Sequence, residues 1–429
     1  MILLMLISLF TMVFMGMDLM LVLIFCSAIV LTSSNVFYGA ALPLDVITQH
    51  MYSGINTFTF TAIPLFILAG EIMNKGGITD KLIDLSNSVV GHLRGSLGHS
   101  SVFLNMLMAG VSGSAVADTT ATGSIMIPAM KKEGYSSEKS AAIIAGSATI
   151  GPIIPPGITF IVLGGVAEIS VGALFLSGII PGIILGFAMM LHVYWYAKKH
   201  DFPTHERESF KEIIKSVKGA VLPLILPIII LGSIILGIAS PTESAALGVL
   251  YALFLCIFVY KSLNVRKIFG IFVQSSISSG LIMLIIGAGS AFGWVATYNN
   301  IDNLFKSVIL DISNNPIIVM YIVVLLLLIL GTVIEVNPII LLVTPIIFPA
   351  LPELGIDPIH FGSIMVITLT TALITPPVGV NLFIASSIAQ VPILSVARAV
   401  IPFWLIILGV VSLMVIFPQM ALFLPNLFN

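Results

Sequence analysis

Long apolar runs fill this chain, and they decide what it can become. They cover 2–31, 58–74, 97–130, 140–166, 170–197, 220–239, 244–260, 268–297, 316–350, 359–390 and 400–425. Crossing a bilayer takes about 20 apolar residues, so the runs read as about ten spans plus two interrupted segments. Charged residues make up 8% of the chain and hydrophobic residues 58%. A soluble domain carries about 25% charged residues. A water-soluble globule of 429 residues cannot hide so much apolar surface, and disorder is excluded by the same numbers. The expected class is an all-α polytopic membrane protein. A net charge of −2 offers nothing to a nucleic acid. Cys26 and Cys256 lie inside apolar runs, without disulfide or metal spacing, and read as small buried residues. Residues 1–9 lack the basic segment of a secretory leader. The first run is therefore expected to stay in the membrane, broken near Gly16 and Asp18 into two short pieces.

Basic residues fix the orientation. Lys75, Lys81 and Arg94 separate the second and third runs, and Lys131, Lys132 and Lys139 follow the third. Six more lie in 198–218, and Lys261, Arg266 and Lys267 form another group. The stretches 32–55, 166–170, 240–243, 299–315 and 351–358 hold a single lysine, Lys306. Positive segments stay cytoplasmic, so the poor stretches are external. The run 97–130 then begins and ends on the cytoplasmic side, and 316–350 begins and ends outside. Each is read as a re-entrant hairpin, and the two enter from opposite faces.

The chain also repeats itself. At a shift of 221 residues Pro128 meets Pro349, Gly134 meets Gly355 and Thr149 meets Thr370. Pro155 and Pro156 meet Pro376 and Pro377, and Pro181 meets Pro402. With opposed hairpins the repeat is inverted, which points to a secondary transporter with its site at mid-membrane. The expected layout is N-terminal scaffold helices and an external arm in 1–60. The first repeat, 61–197, carries the hairpin 97–130 and a broken helix at 140–166. A cytoplasmic amphipathic connector follows at 198–219, then scaffold helices at 220–260. The second repeat, 261–402, carries the hairpin 316–350 and a broken helix at 359–390, and 403–429 is a last helix. The connector mixes basic residues with Asp201, Glu206, Glu208 and Glu212; it reads either as a lipid-surface helix or as a solvated linker.

The broken segments carry the candidate chemistry. Ser112, Gly113 and Ser114 turn the first hairpin, and Asp118 lies one turn on. Backbone groups left unpaired in a membrane cost several kcal/mol each. A bound Na⁺ satisfies carbonyls, and the serine hydroxyls add hard oxygen donors. The alternative is a small-residue packing turn with Asp118 bonded to backbone. Thr149, Gly151 and Pro152 unwind one span, and Thr370, Thr371, Thr375, Gly379 and Asn381 do so in its copy. Oxygen-only surroundings suit an alkali cation and not zinc; the alternative is a proline kink without a ligand. Gly331, Thr332 and Glu335 turn the second hairpin. Glu335 is an ionisable group at membrane depth or a residue at an exposed tip. Substrate is expected to meet Ser112, Pro155, Pro156, Pro376 and Pro377. Glu243, behind Ser240 and Pro241, reads as a helix start. No Ser-His-Asp arrangement, zinc-protease helix or phosphate-binding glycine loop can be argued, so neither an enzyme nor an ATPase is expected.

These motifs resemble the large membrane subunit of tripartite ATP-independent periplasmic (TRAP) transporters. The matching stretches are Ile63-Pro64-Leu65-Phe66-Ile67-Leu68-Ala69-Gly70-Glu71 with Asn74-Lys75-Gly76-Gly77, 112–118, Gly123-Ser124-Ile125-Met126-Ile127-Pro128, 150–156, 237–246 and 375–383. Ser240 departs from the family's more frequent threonine. The resemblance implies an elevator motion of a hairpin-bearing domain past a fixed scaffold, in a multi-pass protein of the bacterial inner membrane. It implies a separate small four-helix membrane subunit, a periplasmic substrate-binding protein, and a small carboxylate such as sialic acid or a C4-dicarboxylate. The separate-subunit form leans towards sialic acid. At least two Na⁺ are expected. A tenfold gradient supplies about 1.4 kcal/mol per ion and ~100 mV about 2.3 kcal/mol per charge. Two ions bring roughly 7 kcal/mol, against about 2.3 kcal/mol for moving a carboxylate inward against the voltage. A self-sufficient Na⁺/anion symporter, an ion channel and an intramembrane enzyme are the competing readings.

Overall fold

The computed structural model describes residues 1–39, 42–202, 204, 207 and 209–428. Glu206 and Glu208 of the expected connector lie outside the described residues. The first half holds α1 (Ile2–Phe14), α2 (Leu19–Tyr38), α3 (Asp45–Ile55), α4 (Ala62–Lys75), α5 (Ile78–Val90), α6 (Ser96–Ser112), α7 (Ala115–Lys132), α8 (Ser137–Ala148), α9 (Ile158–Ala167) and α10 (Val171–Lys199). The second holds α11 (Phe210–Ile235), α12 (Pro241–Phe254), α13 (Val265–Tyr298), α14 (Ile301–Ile312), α15 (Pro316–Gly331), α16 (Val336–Ile347), α17 (Pro358–Thr370), α18 (Val380–Ala389), α19 (Ile393–Ile416) and α20 (Gln419–Phe428). No strand occurs among the described residues.

The 221-residue shift relates far more than the prolines. It lays α5 to α10 onto α14 to α19, helix on helix, and α2 onto α12. Left-handed turns recur with it, at Gly16 and Gly237 and at Gly134 and Gly355. One pair breaks the likeness: α3 and α4 meet at a 64° bend, whereas their counterpart α13 runs unbroken for 34 residues.

Among the described residues six helices are long and apolar enough to cross a membrane, or seven if the bent pair counts as one. That is fewer than run length suggests, because several runs are split into two short arms that stop at a break. The first run divides as expected at Gly16 and Asp18, but α2 is a full 20 residues, with the Asp18 side chain accepting from Met20 N–H at 3.0 Å. Ser240 and Glu243 form a reciprocal cap with Pro241 in the first turn, as read from the sequence. The amphipathic connector is not an element of its own. Ser209 and Glu212 cap α11, and nothing stops the helix before Ile235, so Phe210 to Val217 are its first turns.

Two packing groups result. The arms α6–α10 and α15–α19 interlock, with α8 against α6, α7, α18 and α19; around them α13 packs on α2, α3 and α4, and α11 on α5 and α12. Each broken helix is braced at its start. Lys139 follows the N-cap Ser136 by three residues, and its ammonium lies 2.8 Å from His192 Nε2 on α10 and over the rings of Tyr196 and Phe403. His360, at the equivalent place after Asp357, is buried with Nε2 2.8 Å from the Met414 carbonyl on α19. A buried cation without a carboxylate is costly, and aromatic faces with an acceptor nitrogen offset that cost.

Candidate functional site

The first hairpin turns where the sequence places it. Ser112 ends α6, Gly113 takes φ +61°, and Ser114 caps α7. The Ser112 hydroxyl donates to Asp118 Oδ1 at 2.5 Å and accepts from Ser114 N–H at 3.2 Å. Asp118 thus bonds a hydroxyl and not the backbone. It is fully buried, and its Oδ2 has no hydrogen-bond partner among the described residues. A carboxylate in the first turn of α7 faces the positive end of the helix dipole. A Cβ on Gly151 would stand 2.7 Å from Oδ2, so glycine lets the unwound stretch approach the carboxylate.

Beyond Ala148 the chain leaves the helix until Ile158; in the copy, a short 3₁₀ turn at Thr371–Ile374 leads into extended backbone at Thr375. Both proline pairs have cis peptide bonds. The hydroxyls here share one pattern. Thr149 donates to the Gly146 carbonyl at 2.6 Å, and Thr370 to Ile367 at 2.7 Å. Thr371 donates to Thr368 and Thr375 to Thr371, both at 2.6 Å. Each hydrogen is committed to backbone, so each oxygen keeps lone pairs to offer. Asn381 reaches across the halves, donating from Nδ2 to the Ala145 carbonyl at 3.4 Å, while its buried Oδ1 has no partner among the described residues.

The hairpin tips and unwound stretches meet. A cavity of about 240 Å³ is lined by Gly113 and Ser114, by Pro152, by Glu335 and Asn337, and by Leu373 and Val380, with Ile282 of α13 as a wall. Glu335 is the N-cap of α16 and makes no side-chain cap bond, so its exposed carboxylate belongs to the cavity. Gly331 and Thr332 stand one step back. A Cβ on Gly331 would be 2.9 Å from Ala372, and Thr332 donates to the Ile329 carbonyl at 2.7 Å. Gly379 is buried beside Thr375. Pro155, Pro156, Pro376 and Pro377 do not line this cavity: the first two are buried under the first hairpin tip, and the second two are exposed. Sequence reasoning missed Ile282 and Asn105. Asn105 is buried and donates to Ser147 Oγ at 2.6 Å, tying α6 to the broken helix. An amide inside the run 97–130 was the available signal.

An all-helical membrane chain with duplicated hairpins, whose tips meet at a cavity where Ser114, Glu335 and Asn337 stand among mostly apolar side chains, has the architecture of a transporter's transmembrane component. It belongs to a definite family: residues 4–420 match the tripartite ATP-independent periplasmic transporter, DctM component. The chain is thus a TRAP large membrane subunit, a multi-pass protein of the bacterial inner membrane. It is 37% identical to the sialic acid TRAP transporter large permease protein SiaM of Vibrio cholerae, over 90% of each chain. It is also 37% identical to the C4-dicarboxylate TRAP transporter large permease protein DctM of Pseudomonas aeruginosa, over 93% of this chain and 92% of that one. Among solved structures the YdaH transporter of Alcanivorax borkumensis superposes with a TM-score of 0.63 over 87% of each chain, at 15% identity. That likeness is one of fold.

Proposed function

We propose that this subunit couples the inward movement of a small carboxylate to a Na⁺ gradient. The cargo is sialic acid or a C4-dicarboxylate, handed over by a periplasmic binding protein. A small four-helix membrane subunit stands beside the scaffold, and the hairpin-bearing group moves against that scaffold as an elevator. The observation that carries this reading is a cavity to which both hairpin tips and both unwound stretches contribute.

The donor set fits an alkali cation. It consists of oxygens only: hydroxyls whose hydrogens are committed to backbone carbonyls, and a buried Asp118 oxygen without a partner among the described residues. Ser112, Asp118 and the carbonyls near Gly151 would hold one ion; Thr370, Thr371, Thr375 and Asn381 would serve the other half. Glu335 adds negative charge at the second tip. The chain itself positions these oxygens, keeps lipid from them and places cargo beside them.

Uptake by proteoliposomes containing both membrane subunits tests the reading. Labelled N-acetylneuraminate and succinate should accumulate only with an inward Na⁺ gradient and with the binding protein present. Equal uptake without the binding protein would establish the self-sufficient symporter instead, and currents without accumulation a channel. Ser112→Val and Thr375→Val should each raise the Na⁺ needed for half-maximal uptake about tenfold, the loss of ~1.4 kcal/mol of ligation. Unchanged Na⁺ dependence would remove both residues from the site.

A further inference from the structure

A second cavity, of about 500 Å³, adjoins the first at the hairpin tip and shares Ser114, Val116, Ile158 and Ile282 with it. Ser112 and Ser114 line one end of it, and Glu71, Asn74 and Lys75 of α4 line the other. Gly70 allows this approach: a Cβ there would be 3.3 Å from the Ser112 carbonyl. Lys75 is the only cation among the residues lining the cavity, and Glu71 the only acid. The Lys75 ammonium lies 3.3 Å from Glu71 Oε2, with the two side chains 48% and 29% exposed. Such a pair is water-accessible and worth at most about 1 kcal/mol, so another carboxylate can displace Glu71 readily. Between them the Asn74 side-chain oxygen is buried and has no partner among the described residues. It is an acceptor free for a hydroxyl or N–H donor on a ligand. Lys75, Lys81 and Arg94 put this mouth on the cytoplasmic side.

We propose that Lys75 is a release subsite for the carboxylate of the cargo, with Glu71 as its built-in competitor. Cargo leaving Ser112 and Ser114 exchanges with Glu71 on Lys75, and Asn74 accepts from a donor group on the same molecule. Glu71 then retakes the lysine, which keeps the cargo's stay short. This rests on the carboxylate reading above.

An i, i+4 pair that merely steadies the last turn of α4 makes a different forecast, and the two variants separate them. Vesicles holding the complete transporter are preloaded with graded unlabelled cargo, either N-acetylneuraminate or succinate, whichever the wild type carries. The internal concentration that halves uptake is then measured. Glu71→Gln frees Lys75 and should lower that concentration about five- to tenfold; Lys75→Gln should raise it by a similar factor. Lys81→Gln, outside the cavity, should leave it unchanged. Shifts of both variants in the same direction, or no shift in either, overturn the subsite while leaving the transport function standing. Failure of the wild type to take up either carboxylate overturns the function and the subsite together. Thermal unfolding of each variant in detergent accompanies the measurement. Should Lys75→Gln not fold, the Glu71→Gln shift alone decides.

Discussion

Gly113→Ala should reduce uptake by about 100-fold or more while the protein still reaches the membrane. The position is left-handed at φ +61°, where a side chain costs about 1–2 kcal/mol. The larger cost is contact. An added Cβ would stand 2.1 Å from the Pro156 carbonyl oxygen and 3.4 Å from Gly157 Cα. Both are backbone, and neither has a flexible end to swing away. The tip must lift off the unwound stretch, which separates Ser112 and Asp118 from Gly151. Gly134→Ala is the matched control: it too is left-handed, at φ +94°, but nothing stands within 4 Å of its Cβ. It should pay only the conformational cost of about 1–2 kcal/mol and keep most of its uptake. Initial uptake rates set against thermal unfolding of both variants check this. Equal losses in the two would mean that close approach at the tip is irrelevant.

Asp118→Asn is the second large effect. The amide keeps the shape and can still accept from Ser112, so packing is conserved while the charge is lost. If the buried carboxylate offsets a cation, the Na⁺ concentration for half-maximal uptake should rise about 10- to 100-fold, as losing a charge-assisted contact of ~1.5–3 kcal/mol implies. Maximal rate at saturating Na⁺ should fall much less. A fall in rate with unaltered Na⁺ dependence would reduce Asp118 to a brace for the hairpin.

How legible was this in the sequence? Charge placement and apolar run length fixed the membrane class, the two hairpins and the turn at 112–114. Paired prolines exposed the repeat, but only where prolines and glycines mark breaks. Its extension to α2 and α12 leaves almost no trace, because a lipid-facing helix accepts nearly any apolar side chain. The Ser112 to Asp118 bond spans six residues across a turn, so helical spacing does not foretell it. The proline pairs were conspicuous as letters, yet Pro152 and Leu373 reach the cavity instead. An unwound stretch obeys neither helical nor strand periodicity, and which of its residues turn inward is settled by packing against the hairpin tips. Lys139 and His360 show the same limit: their equivalence is plain at the 221-residue shift, but His192 and the Met414 carbonyl are distant in the chain.

The interlocking of the halves has a consequence for biosynthesis. Asn381 donates to the Ala145 carbonyl, Lys131 Nζ donates to the Ala389 carbonyl at 3.3 Å, and α18 wedges against α7 and α8. The first hairpin therefore lacks its seat until the ribosome has made nearly all of the chain. Early helices must wait in the lipid, inserted but unassembled. Truncation before α18 would thus cost the first hairpin part of its seat, although that hairpin is made far earlier.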